Sequence, residues 1–161
     1  MKKLMLILAV FLLAGCASKP YEWYEILPRD DVYSRLTPTT YKNNIFLKEV
    51  LLSAPGLRDR IFTEEGTYKA LSTSLKEANL YSDAKNARYE LSAEFLSTDV
   101  SGGFNTTVKY SISYALKEIK SNALTYEETI TVPCTVRFSE QPDEVLRYSK
   151  ALTCGVSENF S

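Results

Sequence analysis

Between residues 88 and 138 apolar and polar side chains alternate, and this period of two restricts the fold more than any other feature of the chain. Tyr89, Leu91, Ala93 and Phe95 alternate with Arg88, Glu90, Ser92 and Glu94. Val108, Tyr110, Ile112, Tyr114 and Leu116 alternate with Lys109, Ser111, Ser113 and Lys117. A third run carries Tyr126, Ile130, Val132, Cys134, Val136 and Phe138. Successive strand side chains point to opposite faces, so each run predicts a strand with one apolar face. Lys120-Ser121-Asn122-Ala123 suits a hairpin tip, and the Asp99 to Asn105 segment, with Gly102 and Gly103, suits a longer one. The three runs therefore form an antiparallel meander. Pro133 has no N–H to give to a ladder, which puts its strand at an edge, at a bulge or near its end.

Elements on either side must cover the apolar face. Asn44 to Leu52 is a first strand of mixed pattern, closed by Ser53-Ala54-Pro55-Gly56. Thr63 is a suitable N-cap, Glu64 and Glu65 complement the helix dipole, and Tyr68, Leu71, Leu75 and Ala78 recur at helical spacing up to Asn79, which tolerates a left-handed stop. After the meander, Ser139 is read as the cap of a second helix, with Val145, Tyr148, Leu152, Val156 and Phe160 as its buried stripe. The expectation is an α+β two-layer sandwich: an antiparallel sheet of about four strands with two helices packed on one face.

The N-terminus has a different logic. Lys2 and Lys3 precede an apolar run from Leu4 to Leu12, and Leu13-Ala14-Gly15-Cys16 follows. A basic start, a short apolar stretch and small residues before a cysteine form a secretory signal ending in a lipobox. A spanning helix needs about 20 apolar residues, and this run ends too soon. The expected cleavage lies between Gly15 and Cys16, with acyl chains on Cys16. At about 0.8 kcal/mol per buried methylene, three such chains hold a protein on a bilayer far more firmly than one. Residues 1–15 are then the signal peptide, 16–43 a lipidated cysteine and extended tether containing Pro20, Pro28 and Pro38, and 44–161 a single domain. The tether is aromatic, with Tyr21, Trp23, Tyr24, Tyr33 and Tyr41, so packing on the membrane interface or on the domain is expected, with Tyr33 and Tyr41 assigned to the domain.

Removing 15 residues from 161 leaves 146, enough for one cored domain. Without Lys2 and Lys3, 17 basic residues face 20 acidic ones, a net charge near −3 with no basic cluster, so nucleic acid is not an expected partner. The chain has no histidine, which removes the usual general base and the commonest zinc ligand. Cys134 and Cys154 remain beside Cys16. An even pair in an oxidising compartment suggests a disulfide. Helical phase argues the other way: with Val145, Leu152 and Val156 inward, Cys154 falls beside Asp143, Lys150 and Glu158, and a bond requires the helix to end or rotate first.

On Tyr68 to Leu80, with its Ala-Leu-x-x-Ser-Leu-x-x-Ala-x-Leu pattern, Tyr89 to Ala93, Val108 to Tyr114, Tyr126 to Pro133, and Arg147, Ala151, Glu158 and Asn159, the chain resembles a family of small Gram-negative outer-membrane lipoproteins. Members often carry the label UDP-N-acetylglucosamine acyltransferase. The order of elements is also similar to that of the lipoprotein that plugs the lipopolysaccharide-export barrel and of auxiliary lipoproteins of envelope ABC transporters. These resemblances imply a lipid-anchored domain at the cell outer membrane, facing the periplasm, with an envelope protein partner. Ala17 after the cysteine resembles the outer-membrane sorting pattern. Acyltransferases of that name resemble left-handed parallel β-helices with hexapeptide repeats and a histidine base, and this chain has neither, so that activity is rejected.

Catalytic constellations are not found. Glu127 and Glu128 are neighbours on a strand and point to opposite faces. No nucleophile elbow, phosphate loop or metal-ligand spacing occurs, so no catalytic residue, metal or cofactor is expected. The candidate contact site is the loop Gly102-Gly103-Phe104, where an aromatic stands beside flexible glycines. Two functions fit: a non-enzymatic envelope accessory or adaptor, or a lipid or small-ligand module using a crevice between helices and sheet. A filled interface favours the first and an apolar cavity above about 300 Å³ the second.

Overall fold

The computed structural model describes residues 21–33, 40–54 and 62–161. Gly15 and Cys16 lie outside them. The strands are β1 (Ile45–Leu52), β2 (Tyr89–Ser101), β3 (Asn105–Glu118) and β4 (Ala123–Arg137), and the two long helices are α1 (Glu64–Glu77) and α2 (Glu144–Asn159). They form one open four-stranded sheet in the order β1-β2-β3-β4, an α+β fold.

The meander β2-β3-β4 is antiparallel, with Phe95 opposite Ile112 and Tyr110 opposite Val132. β1 instead pairs parallel with β2, Ile45 opposite Tyr89, so the sheet is mixed and not antiparallel throughout. The reason is α1: a helix between β1 and β2 returns the chain to the starting end of the sheet, which makes the next strand parallel. β4 is an edge strand, and Pro133 sits opposite Lys109 with its side chain exposed, where a missing N–H is tolerated.

α1 begins as its sequence dictates. Thr63 Oγ1 accepts from the N–H of Gly66 at 3.0 Å, and Asn79 takes the left-handed conformation (φ 58°) just after the helix. α2 starts later than expected. Asp143, not Ser139, is its N-cap, its carboxylate accepting from Leu146 N–H at 2.9 Å. Ser139 lies in a turn that Glu140 and Gln141 close onto the carbonyl of Arg137.

The buried face of α2 also departs from the expected stripe. Leu152 and Val156 are buried, but Val145 is 76% exposed and Tyr148 40% exposed, while Arg147, Ala151, Gly155 and Asn159 point inward. The cause is packing at Gly155. A Cβ there would stand 2.8 Å from Cδ2 of Tyr110, so this glycine lets the helix lie directly on the ring and fixes its rotation. Asn159 then reaches Tyr114, whose hydroxyl donates to Asn159 Oδ1 at 2.8 Å, while Nδ2 of Asn159 donates to the carbonyls of Tyr110 and Ile130.

The segment expected to be tether is, where described, part of the domain. A 3-10 turn at Trp23–Ile26 packs against both α1 and α2, and Ile26 is fully buried. Tyr21 hydrogen-bonds Ser149 of α2, Ser157 Oγ donates to the carbonyl of Leu27 at 2.8 Å, and the Lys69 ammonium lies 4.4 Å from the Trp23 ring. Tyr41 stacks edge-on against Tyr89, centroids 5.2 Å apart. Among the described residues the helical side thus carries, besides α1 and α2, this turn and a one-turn helix at Asp30–Tyr33, both from residues with no helical period.

Candidate functional site

One end of the sheet gathers the loop singled out in the sequence and the start of α2. β2 and β3 are joined there by Gly102, Gly103 and Phe104, with Gly103 at φ +131°, a conformation that L side chains rarely adopt. Phe104 is 80% exposed and its ring lies 5.3 Å from that of Phe138, just past β4. Asn105 Oδ1 accepts from the N–H of Phe138 at 3.2 Å, tying the two connections together.

Arg147 holds this end in place. It is only 4% exposed, and its guanidinium meets four neutral acceptors: Thr106 Oγ1 at 3.3 Å, the carbonyls of Gln141 and Pro142 at 2.9 and 3.0 Å, and the carbonyl of Gly103 at 3.3 Å. Its Cζ lies 5.6 Å from the Phe138 ring centroid. A rigid fork of donors spends its hydrogen bonds on both loops at once, so the exposed rings stand on a fixed base. In the sequence Arg147 stands out only among the residues that carry a resemblance, because its acceptors come from two separate loops and leave no periodic signal.

Cys134 and Cys154 are joined by a disulfide, Cα atoms 5.9 Å apart, linking β4 to α2. The helix rotation set at Gly155 brings Cys154 to the flank of the buried face, where the phase expected from Val145 had kept it away.

The centre of the crevice between helices and sheet is filled. Phe95, Tyr110, Ile112, Leu152 and Val156 are fully buried in one cluster, and Ile26 fills the groove between the helices. Tyr110 stacks on Phe62 and Phe95, and its buried hydroxyl has no hydrogen-bond partner among the described residues. Desolvation pushes its pKa far up, and burial does the same for Tyr114, so both phenols stay neutral. Among the described residues two clefts open to solvent: one of about 640 Å³ beside Tyr24, Arg29, Asp30, Tyr33 and Glu77, and one of about 350 Å³ beside Leu52, Phe62, Thr63 and Glu64, where the end of β1 meets the start of α1.

Other candidates remain apart. Glu128 is bonded to the neighbouring Tyr126 hydroxyl on β4, and Glu127 occupies the next position, on the opposite face. Among the described residues no group of three or more His, Cys, Asp or Glu side chains could hold a metal ion, and no helix is long and apolar enough to cross a membrane. The open sheet face carries Lys48–Glu90 and Arg88–Glu118 ion pairs, each 2.9 Å, and hydroxyl pairs Thr107–Thr135 and Ser111–Thr131.

The architecture defines a class, an α+β domain with a four-stranded mixed sheet and helices on one face. The sequence matches no protein-family model and no curated protein. Solved structures share the fold. Protein XCC0632 from Xanthomonas campestris, of family DUF330, aligns with a TM-score of 0.55 at 9% identity over 78% of this chain and 86% of its own. A minor lipoprotein from Acinetobacter baumannii aligns with a TM-score of 0.51 at 15% identity over 76% and 87%. At these identities the likeness is one of fold, and the fold is one that a bacterial lipoprotein uses.

Proposed function

We propose that the protein is a lipoprotein of the bacterial envelope, anchored at the outer membrane through acylated Cys16, whose domain is a non-enzymatic accessory or adaptor. The filled centre of the helix–sheet interface supports this reading, and the cleft of about 350 Å³ at Leu52 and Phe62 is open to solvent and not enclosed. A module that enclosed a lipid or small ligand would need an apolar cavity at that centre, and Phe95, Tyr110, Ile112 and Ile26 occupy that space. Binding through outer surfaces is what such a domain can do, and the pinned loop Gly102-Gly103-Phe104 is the contact region proposed. The open sheet face and the β4 edge are surfaces on which an envelope protein can dock.

Site-specific photo-crosslinkers at Phe104, Ser113 and Thr131, introduced into the full chain in its own envelope, test this. The proposal expects a discrete protein adduct that is lost when Cys16 is changed to Ser. Adducts absent from these positions and from a scan of the exposed surface, together with a lipid or small molecule retained by the purified protein, would favour the ligand-binding alternative.

A further inference from the structure

The geometry points to a bilayer-contacting function for the loop end of the domain: Phe104, Phe138, Val145 and Tyr148 rest on the membrane interface to which the chain is anchored. This rests on the acylation of Cys16 proposed above and names what its contact loop meets first.

Chain length limits how far the domain can stand from Cys16. Tyr21 is already fixed to the domain, bonded to Ser149 and stacked on Phe62 with centroids 5.5 Å apart. From Cys16 to Tyr21 there are five residue steps, which span at most about 17 Å when fully extended. The domain therefore cannot stand off from the bilayer on a long tether.

Direction follows from the same contacts. The segment meets α2 first at Ser149, through Tyr21, and later at Ser157, through Leu27, so it enters the groove from the α2 N-terminal side. Ser149 lies five residues past the start of α2 at Glu144, about 7.5 Å of helical rise. α2 runs alongside β3 in the same sense, Arg147 at Thr106 and Asn159 at Tyr114, so the entry side is the end that bears Gly102-Gly103-Phe104. At most about 17 Å of chain therefore separates Cys16 from a residue held about a turn and a half of helix inside that end.

The surface presented there suits a bilayer interface. Phe104 (80% exposed) and Phe138 pair at its tip, Val145 and Tyr148 are exposed in the first turns of α2 beside it, and Arg147 holds the Phe138 ring and the Gly103 carbonyl. Aromatic rings favour the headgroup–acyl boundary. The exposed charges around them are mainly acidic, Glu140, Asp143 and Glu144 against Arg137, so the attraction is to apolar and zwitterionic lipid and not to anionic headgroups.

The acylated full chain is reconstituted in phosphatidylcholine vesicles carrying brominated acyl chains. An environment-sensitive fluorophore is placed through Phe104→Cys, with Val145→Cys as a second position and Lys120→Cys, at the opposite hairpin, as the reference. The inference expects bromolipid to quench the labels at 104 and 145 several-fold more than the label at 120, iodide to show the reverse order, and anionic lipid to leave the pattern unchanged. Flotation with the vesicles but equal iodide quenching at all three positions overturns the inference alone, leaving this surface to a protein partner. Failure to float overturns the anchor and the inference with it.

Discussion

The guanidinium of Arg147 donates to the carbonyl of Gly103, joining the first turn and a half of α2 to the tip of a hairpin 44 positions earlier in the chain. The same group bonds Gln141, Pro142 and Thr106, so one side chain sets the position of both loops at the exposed end of the sheet.

Truncating it strands those acceptors. Arg147→Ala is expected to lose about 2–3 kcal/mol, because buried oxygens are left without partners, and Arg147→Lys should recover little, since an ammonium lacks the fork. Denaturant titration measures the loss. Hydrogen exchange should accelerate at 102–106 and 138–143 well before the rest of the sheet, and a uniform acceleration would show that Arg147 has no special hold on the loops.

Gly155 is the second fixed point. A methyl group there enters the Tyr110 ring, so Gly155→Ala should destabilise by about 1–3 kcal/mol despite alanine's better helix propensity. Combining it with Tyr110→Leu should relieve part of that cost. If the double variant is no better than the sum of the singles, the contact does not set the helix rotation.

The Cys134–Cys154 bond closes a separation of 20 residues between an edge strand and α2. Restricting a loop of that length in the unfolded chain contributes about 3 kcal/mol. The lipid-free protein should migrate faster on a gel without reductant than with it, and Cys134→Ser should abolish the difference and lower the denaturation midpoint. Identical mobility in both lanes would contradict the bond.

The pH response follows from the carboxylates. Asp83 is held below its usual range by bonds from the Asn86 side chain and from the N–H groups of Lys85 and Asn86; Glu118 is lowered by Ser121 and Arg88. A carboxylate whose folded pKa is lowered binds its proton more readily in the unfolded chain. Its stabilisation is therefore complete above the unfolded value, near 4, and is lost as pH falls through the folded value. With no histidine in the chain, thermal stability should be flat from pH 6 to 8 and fall below pH 4. The fall should shrink in an Asp83→Asn, Glu118→Gln variant, and a transition near pH 6.5 would contradict the assignment.

Strands and α1 were legible because their signals are local and periodic: β2 and β3 bury the residues that their alternation assigned, and Thr63 and Asn79 bound α1 as their chemistry suggests. The parallel placement of β1 was not, since strand direction depends on where α1 returns the chain. α2 misled for a different reason. Its apolar residues Val145 and Tyr148 look like core, but the helix seats on Gly155 and Asn159, a glycine and an amide that carry no hydrophobic signal. The loop Gly102-Gly103-Phe104 was visible as a turn, whereas the arginine that pins it lies 44 residues away from Gly103 and only the fold brings them together. Trp23–Ile26 reads as tether in the sequence because a 3-10 turn between prolines has no period, and only its burial against α1 and α2 makes it part of the domain.

Acylation of Cys16 is what would hold this domain at a membrane. Intact-mass spectrometry of the full-length gene product, extracted from purified membranes, tests it most directly. The mass of residues 16–161 plus a diacylglyceryl and an N-acyl group, with Cys16→Ser protein losing both the added mass and its membrane fraction, is the result expected. A mass for the unprocessed chain beginning at Met1 with a free Cys16 thiol, recovered in the soluble fraction, would contradict it.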